Sequence, residues 1–440
     1  MRLLDQPNLP FADPAAFSGK LSDRPSSRRT GAFTDNMSLP VHRWFRYSAG
    51  FSAEWAESVI KRHALRGTYV FDPFAGSGTT LLAAQSVGVP SAGGENHPFV
   101  ARIAKAKLRR CGNERLMKAG QRILDDAKVR IRSAPTSTND LLTKCYSPEA
   151  LLRLEALKEA YLAQQSGEAD DDELLWLSIT SILRECSGAG TAQWQYVLPS
   201  KTKARVRDPF YAFASRIEMF CADMRYTETR AGRAQSDLRI ADSRAAESFA
   251  DLEGRVGLIL TSPPYPNNYD YADATRLEMT FWDEIRGWGE LQKVVRHRLV
   301  RSCSQHAAAE RLALPALLSD PLVAPIAPEL AEVCAELETV RETKGGRKTY
   351  HTMIAAYFID LAATWHALRP LCAPGAQVCC VIGDSAPYGV HVPVENWLAR
   401  LALSAGFSGS RYEKIRDRNL KWKNRKHRVP LQEGNLWLEC

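Results

Sequence analysis

Four residues, Ser262-Pro263-Pro264-Tyr265, stand just behind the hydrophobic run "RVGLI". Consecutive prolines fix the backbone and remove two N–H donors, which leaves the carbonyls of Ser262 and Pro263 to face a ligand. With the Ser262 hydroxyl they form a stiff set of acceptors suited to the two hydrogens of an exocyclic amine. An aromatic amine is a poor nucleophile because its lone pair is delocalised into the ring. Acceptors fixed on its hydrogens favour a pyramidal nitrogen with the lone pair aimed at an electrophile. Tyr265 would stack on the base, and a base presenting such an amine must first flip out of its duplex.

A second constellation lies nearer the N-terminus. "TYVFDPFAGSGTTLLAAQSVGVPSAGGENHPF" reads as strand, glycine turn, small-residue helix and second strand. Gly76 and Gly78 let backbone approach a ligand, and the helix opening at Thr79 offers free N–H groups. Glu95 falls seventeen residues past Gly78, at the tip of the second strand, where an acid can bind both hydroxyls of a ribose. A lone Gly-x-Gly occurs in many ordinary turns; strand, glycines, helix, strand and acid in register read as a nucleoside pocket. Asp72 has two readings, a strand-end residue holding loop amides or a carboxylate beside a cationic ligand.

These groups need a common rim. The succession of strands and helices predicts an α/β fold with a mostly parallel sheet, whose ligands settle beyond the carboxyl ends of the strands. Asp242 and Asp384 fall at further strand ends, and "GSRYEKI" and "NLWLEC" read as closing strands. Helices are expected from Ser52, which caps "AEWAESVIKRH", from Ser147 with Pro148 at the first position, and over 172–186. The chain of 440 residues carries a mild net charge of +8 and scattered cysteines without zinc spacing, so no metal is expected. It has neither an 18-residue apolar span nor a signal-peptide layout, which predicts a cytoplasmic protein without a membrane partner.

"DPFAGSGTT" followed by "TSPPY" resembles the cofactor and catalytic motifs of amino-group DNA methyltransferases. The resemblance implies a Rossmann-like class I methyltransferase sheet with an antiparallel last strand and S-adenosylmethionine as cofactor. It assigns Asp72, Phe74, Gly76 and Gly78 to the cofactor's methionine and ribose portions, Glu95 to the ribose and Asp242 to the adenine. Phe51 and Ser52 stand where the family places its methionine-binding element. Ser262, Pro263, Pro264 and Tyr265 would form the catalytic site. A serine before the prolines is, in this family, more typical of cytosine-N4 than of adenine-N6 methylation. The substrate implied is double-stranded DNA, with a cognate restriction endonuclease or phage-defence partner as an open question, in a bacterial or phage setting.

The expected organisation is an N-terminal arm over 1–35, a cofactor half over 36–110, a helical insertion over 111–235, a catalytic half over 236–283, a second insertion over 284–350 and a closing part over 351–440. The helical insertion is the candidate target-recognition region. In it Trp194 and Tyr196 precede Lys201, Lys203 and Arg205, either a stacking and phosphate-binding strip or a solvated basic loop with two core aromatics. The basic loop over 414–428, with Lys421, Lys423 and Arg425, joins the last two strands and would emerge on the active rim to grip phosphates.

Overall fold

The structure is a computed structural model that describes residues 33–47, 50–133, 137–165, 169–192, 196–228, 234–266, 269–305, 313–345, 348–418 and 430–440. Helix α1 (Ala53–His63) begins where Ser52 accepts the Trp55 N–H at 3.5 Å, as expected of a cap. It leads to strand β1 (Tyr69–Asp72), helix α2 (Thr79–Ser86), strand β2 (Ser91–Gly94) and helix α3 (Pro98–Leu108). Five helices follow: α4 (Asn113–Arg130), α5 (Asp140–Cys145), α6 (Pro148–Ala163), α7 (Ala169–Cys186) and α8 (Pro209–Glu228). Ser147 accepts the Ala150 N–H at 3.2 Å and Pro148 opens α6, so the cap and the proline stand as the sequence predicts. A small hairpin of β3 (Ala189–Thr191) and β4 (Val197–Thr202) separates α7 from α8.

The sheet resumes with β5 (Ser236–Arg239) and β6 (Val256–Thr261) and closes with β7 (Cys372–Gly383), β8 (Gly409–Arg418) and β9 (Leu431–Glu439). The spatial order is β5-β2-β1-β6-β7-β9-β8. β1, β2, β5, β6 and β7 run parallel, and β9 lies antiparallel between β7 and β8. This is the Rossmann-like architecture expected, with all six residues of β6 buried because helices cover both faces. β5 ends at Arg239, three residues short of Asp242, because Asp242 turns back to accept the N–H of Arg244.

Between β6 and β7 the chain adds helix Ala327–Glu342 and the 19-residue helix Tyr350–Leu368. The latter is buried on nearly every side, packed under the sheet among Ile259, Val378 and Trp397. Trp44, Phe99, α4, α6, α7, α8 and α9 (Arg276–Phe281) share a separate apolar core. Among the described residues no helix is long and apolar enough to cross a membrane, and no group of His, Cys, Asp or Glu is placed to hold a metal ion.

Candidate active site

Asp72, at the carboxyl end of β1, is buried and fully used. Its carboxylate accepts the Phe74 N–H at 3.0 Å, the Thr80 hydroxyl of α2 at 2.5 Å and the Thr261 hydroxyl of β6 at 2.7 Å. Burial pushes its pKa up to about 6 against these three bonds, which hold the ionised form. Of its two sequence readings, holding the loop is visible in these contacts. One side chain thereby joins the glycine turn to the end of β6, next to Ser262.

The turn itself needs its glycines. Gly76 and Gly78 sit at φ +52° and +89°, where a side chain is strained. A Cβ on Gly76 would come within 3.5 Å of the Tyr47 ring, and one on Gly78 within 3.4 Å of Ala104. Glu95, half-buried beyond β2, accepts the Gly76 N–H at 2.9 Å and the His97 N–H at 2.8 Å. Two bonds leave lone pairs for two hydroxyls of a ligand. Burial raises the Glu95 pKa to about 7, and the nearby Asp72 charge adds to it. Phe74 is half-buried and packs against the core.

Asp242 receives three bonds from Arg244, the backbone N–H at 2.9 Å and the guanidinium at 2.8 and 2.6 Å. Phe51 lies in the core against Trp55, and Ser52 spends its hydroxyl on the cap of α1. Asn36 bonds the residues on either side of Ser52, accepting the Ala53 N–H at 2.8 Å and donating to the Phe51 carbonyl at 3.0 Å. The side chain this segment brings to the glycine turn is Tyr47, which sequence reasoning missed. It is buried, and burial, with the nearby Glu95 carboxylate, holds its phenol well above the usual tyrosine range. Nothing in the local pattern marks it, since the contact spans 29 residues between Tyr47 and Gly76.

Ser262 follows β6 directly. Its hydroxyl donates to the Val381 carbonyl of β7 at 3.1 Å and lies within reach of the Tyr265 phenol. The Ser262 and Pro263 carbonyls accept no loop hydrogen bond among the described residues. The Tyr265 ring is half-buried, with the Arg418 guanidinium 5.0 Å from its centroid. Arg418, also absent from the sequence reading, donates to the Asp384 carbonyl at 2.8 Å. Asp270 accepts N–H groups of Ala272 and Asp273, so it caps the next helical turn.

The candidate DNA contacts divide. Tyr196 accepts the Asp270 N–H at 2.7 Å and stacks on Tyr269 at 5.7 Å, so it braces the loop behind Tyr265. Lys203 points inward and donates to the Arg184 carbonyl at 2.7 Å, while Lys201 and Arg205 are exposed. Trp194, Lys421, Lys423 and Arg425 lie outside the described residues.

A mostly parallel seven-stranded sheet with β9 antiparallel between β7 and β8 is the Rossmann-like fold of class I methyltransferases. A family model described as DNA methylase, for N6 and N4 enzymes, matches residues 21–106. The chain is similar to the Type II methyltransferase M.BsoBI of Geobacillus stearothermophilus, with 23% identity covering 87% of this chain and 81% of that protein. It is equally similar to M.AvaI of Nostoc sp., 23% identical over 87% and 82%. M.MjaII of Methanocaldococcus jannaschii is 37% identical over 78 residues, which are 18% of this chain and 15% of that protein. These matches show similarity to the amino-group DNA methyltransferases, a family that depends on S-adenosylmethionine. The open left-handed turn and the free lone pairs of Glu95 fit that cofactor's ribose and backbone-facing edge.

Proposed function

We propose that the protein methylates the exocyclic N4 amine of a flipped cytosine in double-stranded DNA. The observation that carries this reading is the union of Ser262 with the cofactor turn. Thr261 is bonded to Asp72, so the acceptors for the amine begin one residue from the carboxylate that holds the glycine loop. When bound, S-adenosylmethionine supplies a methyl group on a cationic sulfur. Glu95 would hold its ribose and Asp242 its adenine, with Phe51, Ser52 and Phe74 shaping the remaining wall. The Ser262 hydroxyl and the Ser262 and Pro263 carbonyls would accept the amine hydrogens and turn the lone pair toward the methyl group. Tyr265 would fix the plane of the base, and water would take the proton released after transfer.

A serine before the prolines is, in the family this chain resembles, more typical of cytosine-N4 than of adenine-N6 enzymes, and that pattern carries the choice of base, since hydroxyl and carboxylate alike accept hydrogen bonds. Residues 111–235 would read the target sequence, and Lys201, Arg205, Trp194, Lys421, Lys423 and Arg425 would meet DNA. The names of the relatives suggest a restriction-modification setting with a cognate endonuclease, in the cytoplasm of a bacterium or of a phage-infected cell.

The test is expression in cells that lack DNA methylation, followed by mass spectrometry of digested genomic DNA. N4-methylcytosine is expected with the native chain and none with the Ser262→Ala, Tyr265→Ala double variant. N6-methyladenine instead would overturn the choice of base. Neither mark in DNA would overturn the reading as a whole.

A further inference from the structure

The segment over 286–301 belongs to none of the sites above, yet it crosses the active rim as a strap. It holds the turn Trp288–Glu290, the short helix Leu291–Val294 and the turn Arg296–Arg298. Buried Arg296 binds Asp270 at 2.7 Å, in the loop behind Tyr265. The Arg298 carbonyl accepts Asn96 at 2.6 Å, beside the ribose acid, and Arg244 at 3.2 Å, beside Asp242. Arg301 pairs with Asp360 at 2.7 Å, and Asp360 also takes Arg244 at 2.9 Å. The strap is therefore tied to the loop behind Tyr265, to the residue beside Glu95 and to the arginine that holds Asp242.

Its inner side is apolar, with Leu291, Val295 and Val300 buried. Its outer side is basic, because 286–301 holds five Lys and Arg residues against the single carboxylate of Glu290. Arg296 and Arg301 are neutralised by Asp270 and Asp360. Arg286, Lys293 and Arg298 face solvent without an ion-pair partner among the described residues. Between them stands Trp288, 48% exposed, while every other described tryptophan is buried or half-buried. The Arg296 guanidinium lies 4.3 Å from its ring centroid and holds the indole outward.

Unpaired cations beside an exposed indole, on the rim where a flipped base must arrive, match the chemistry of a nucleic-acid backbone. We propose that the strap is a docking surface for duplex DNA. Lys293 and Arg298 hold phosphates flanking the flipped base, and Trp288 packs on the adjoining sugar and base. The proposal rests on the DNA methyltransferase reading above.

Duplex binding by the full chain across a series of salt concentrations tests it. In the Lys293→Gln, Arg298→Gln variant, the slope of log affinity against log salt should shrink by about 2, since each lost phosphate contact removes about 0.9. Trp288→Ala should weaken binding about tenfold at fixed salt, with the slope kept. The Lys293→Arg, Arg298→Lys variant should keep the native slope, and calorimetry should show native S-adenosylmethionine affinity throughout, which reports an intact rim. Unaltered slope and affinity in the first two variants, beside a native chain that binds duplex, would overturn the strap. A native chain that binds no duplex would overturn the DNA reading and the strap together.

Discussion

Glu95 serves two purposes with one carboxylate, holding the Gly76 and His97 amides and presenting its remaining lone pairs outward. Its pKa is raised from 4.5 to about 7, so the folded chain favours the protonated acid. The protein without ligand therefore loses stability as pH rises between those values. Binding two ribose hydroxyls needs the ionised acceptor, so affinity for S-adenosylmethionine should increase as pH rises through about 7, as titration calorimetry can follow. Glu95→Gln should weaken binding and flatten that pH dependence. Tyr265→Ala should instead abolish methyl transfer while cofactor affinity stays near native. A parallel loss of cofactor binding in both variants would contradict the assigned roles.

At the scale of elements, the glycine turn and the Ser262 loop were legible because each is a short run whose residue types do unusual things. Positive φ demands glycine, and a diproline cannot hide inside a strand. Gly78→Ala should cost about 1–2 kcal/mol in chemical denaturation, from left-handed strain. The caps at Ser52 and Ser147 were legible for the same local reason. Tyr47 and Arg418 were not, since each reaches its site only through tertiary folding. Helix Tyr350–Leu368 escaped notice because it is apolar on all sides and carries no amphipathic period. Tyr196 was visible as an aromatic near cations, but its bond to Asp270 spans 74 positions. The expected basic loop starts later than its composition suggests, because residues 414–418 continue β8, where Lys414 pairs with Asp417 at 2.6 Å and Arg416 with Glu433 at 2.7 Å; Lys421, Lys423 and Arg425 lie outside the described residues.

For the whole molecule, the helical region is bound into the methyltransferase core. Asp223 of α8 accepts the Val41 N–H at 3.0 Å, the Trp44 indole at 2.9 Å and the Arg43 guanidinium at 2.5 Å, while Trp44 stacks on Phe220 at 4.2 Å. The segment so clasped ends in Tyr47, over the cofactor turn. Asp223→Ala should destabilise the chain by about 1–3 kcal/mol for each buried donor it strands, the Val41 N–H and the Trp44 indole, and weaken cofactor binding as well. Thermal unfolding with and without S-adenosylmethionine would report both effects. Excision of 111–235 should leave a chain that does not fold, since the shared apolar core would be cut through.

Asp72 has one more consequence. Its three bonds set the separation between the turn that receives the methyl donor and the loop that receives the amine, so a single junction acts as a calliper across the reaction gap. Transfer through a straight line of nitrogen, carbon and sulfur tolerates little error in that span. Asn in its place would keep the shape but swap an acceptor for a donor, and the jaws would open by whatever the Thr80 and Thr261 hydroxyls then require.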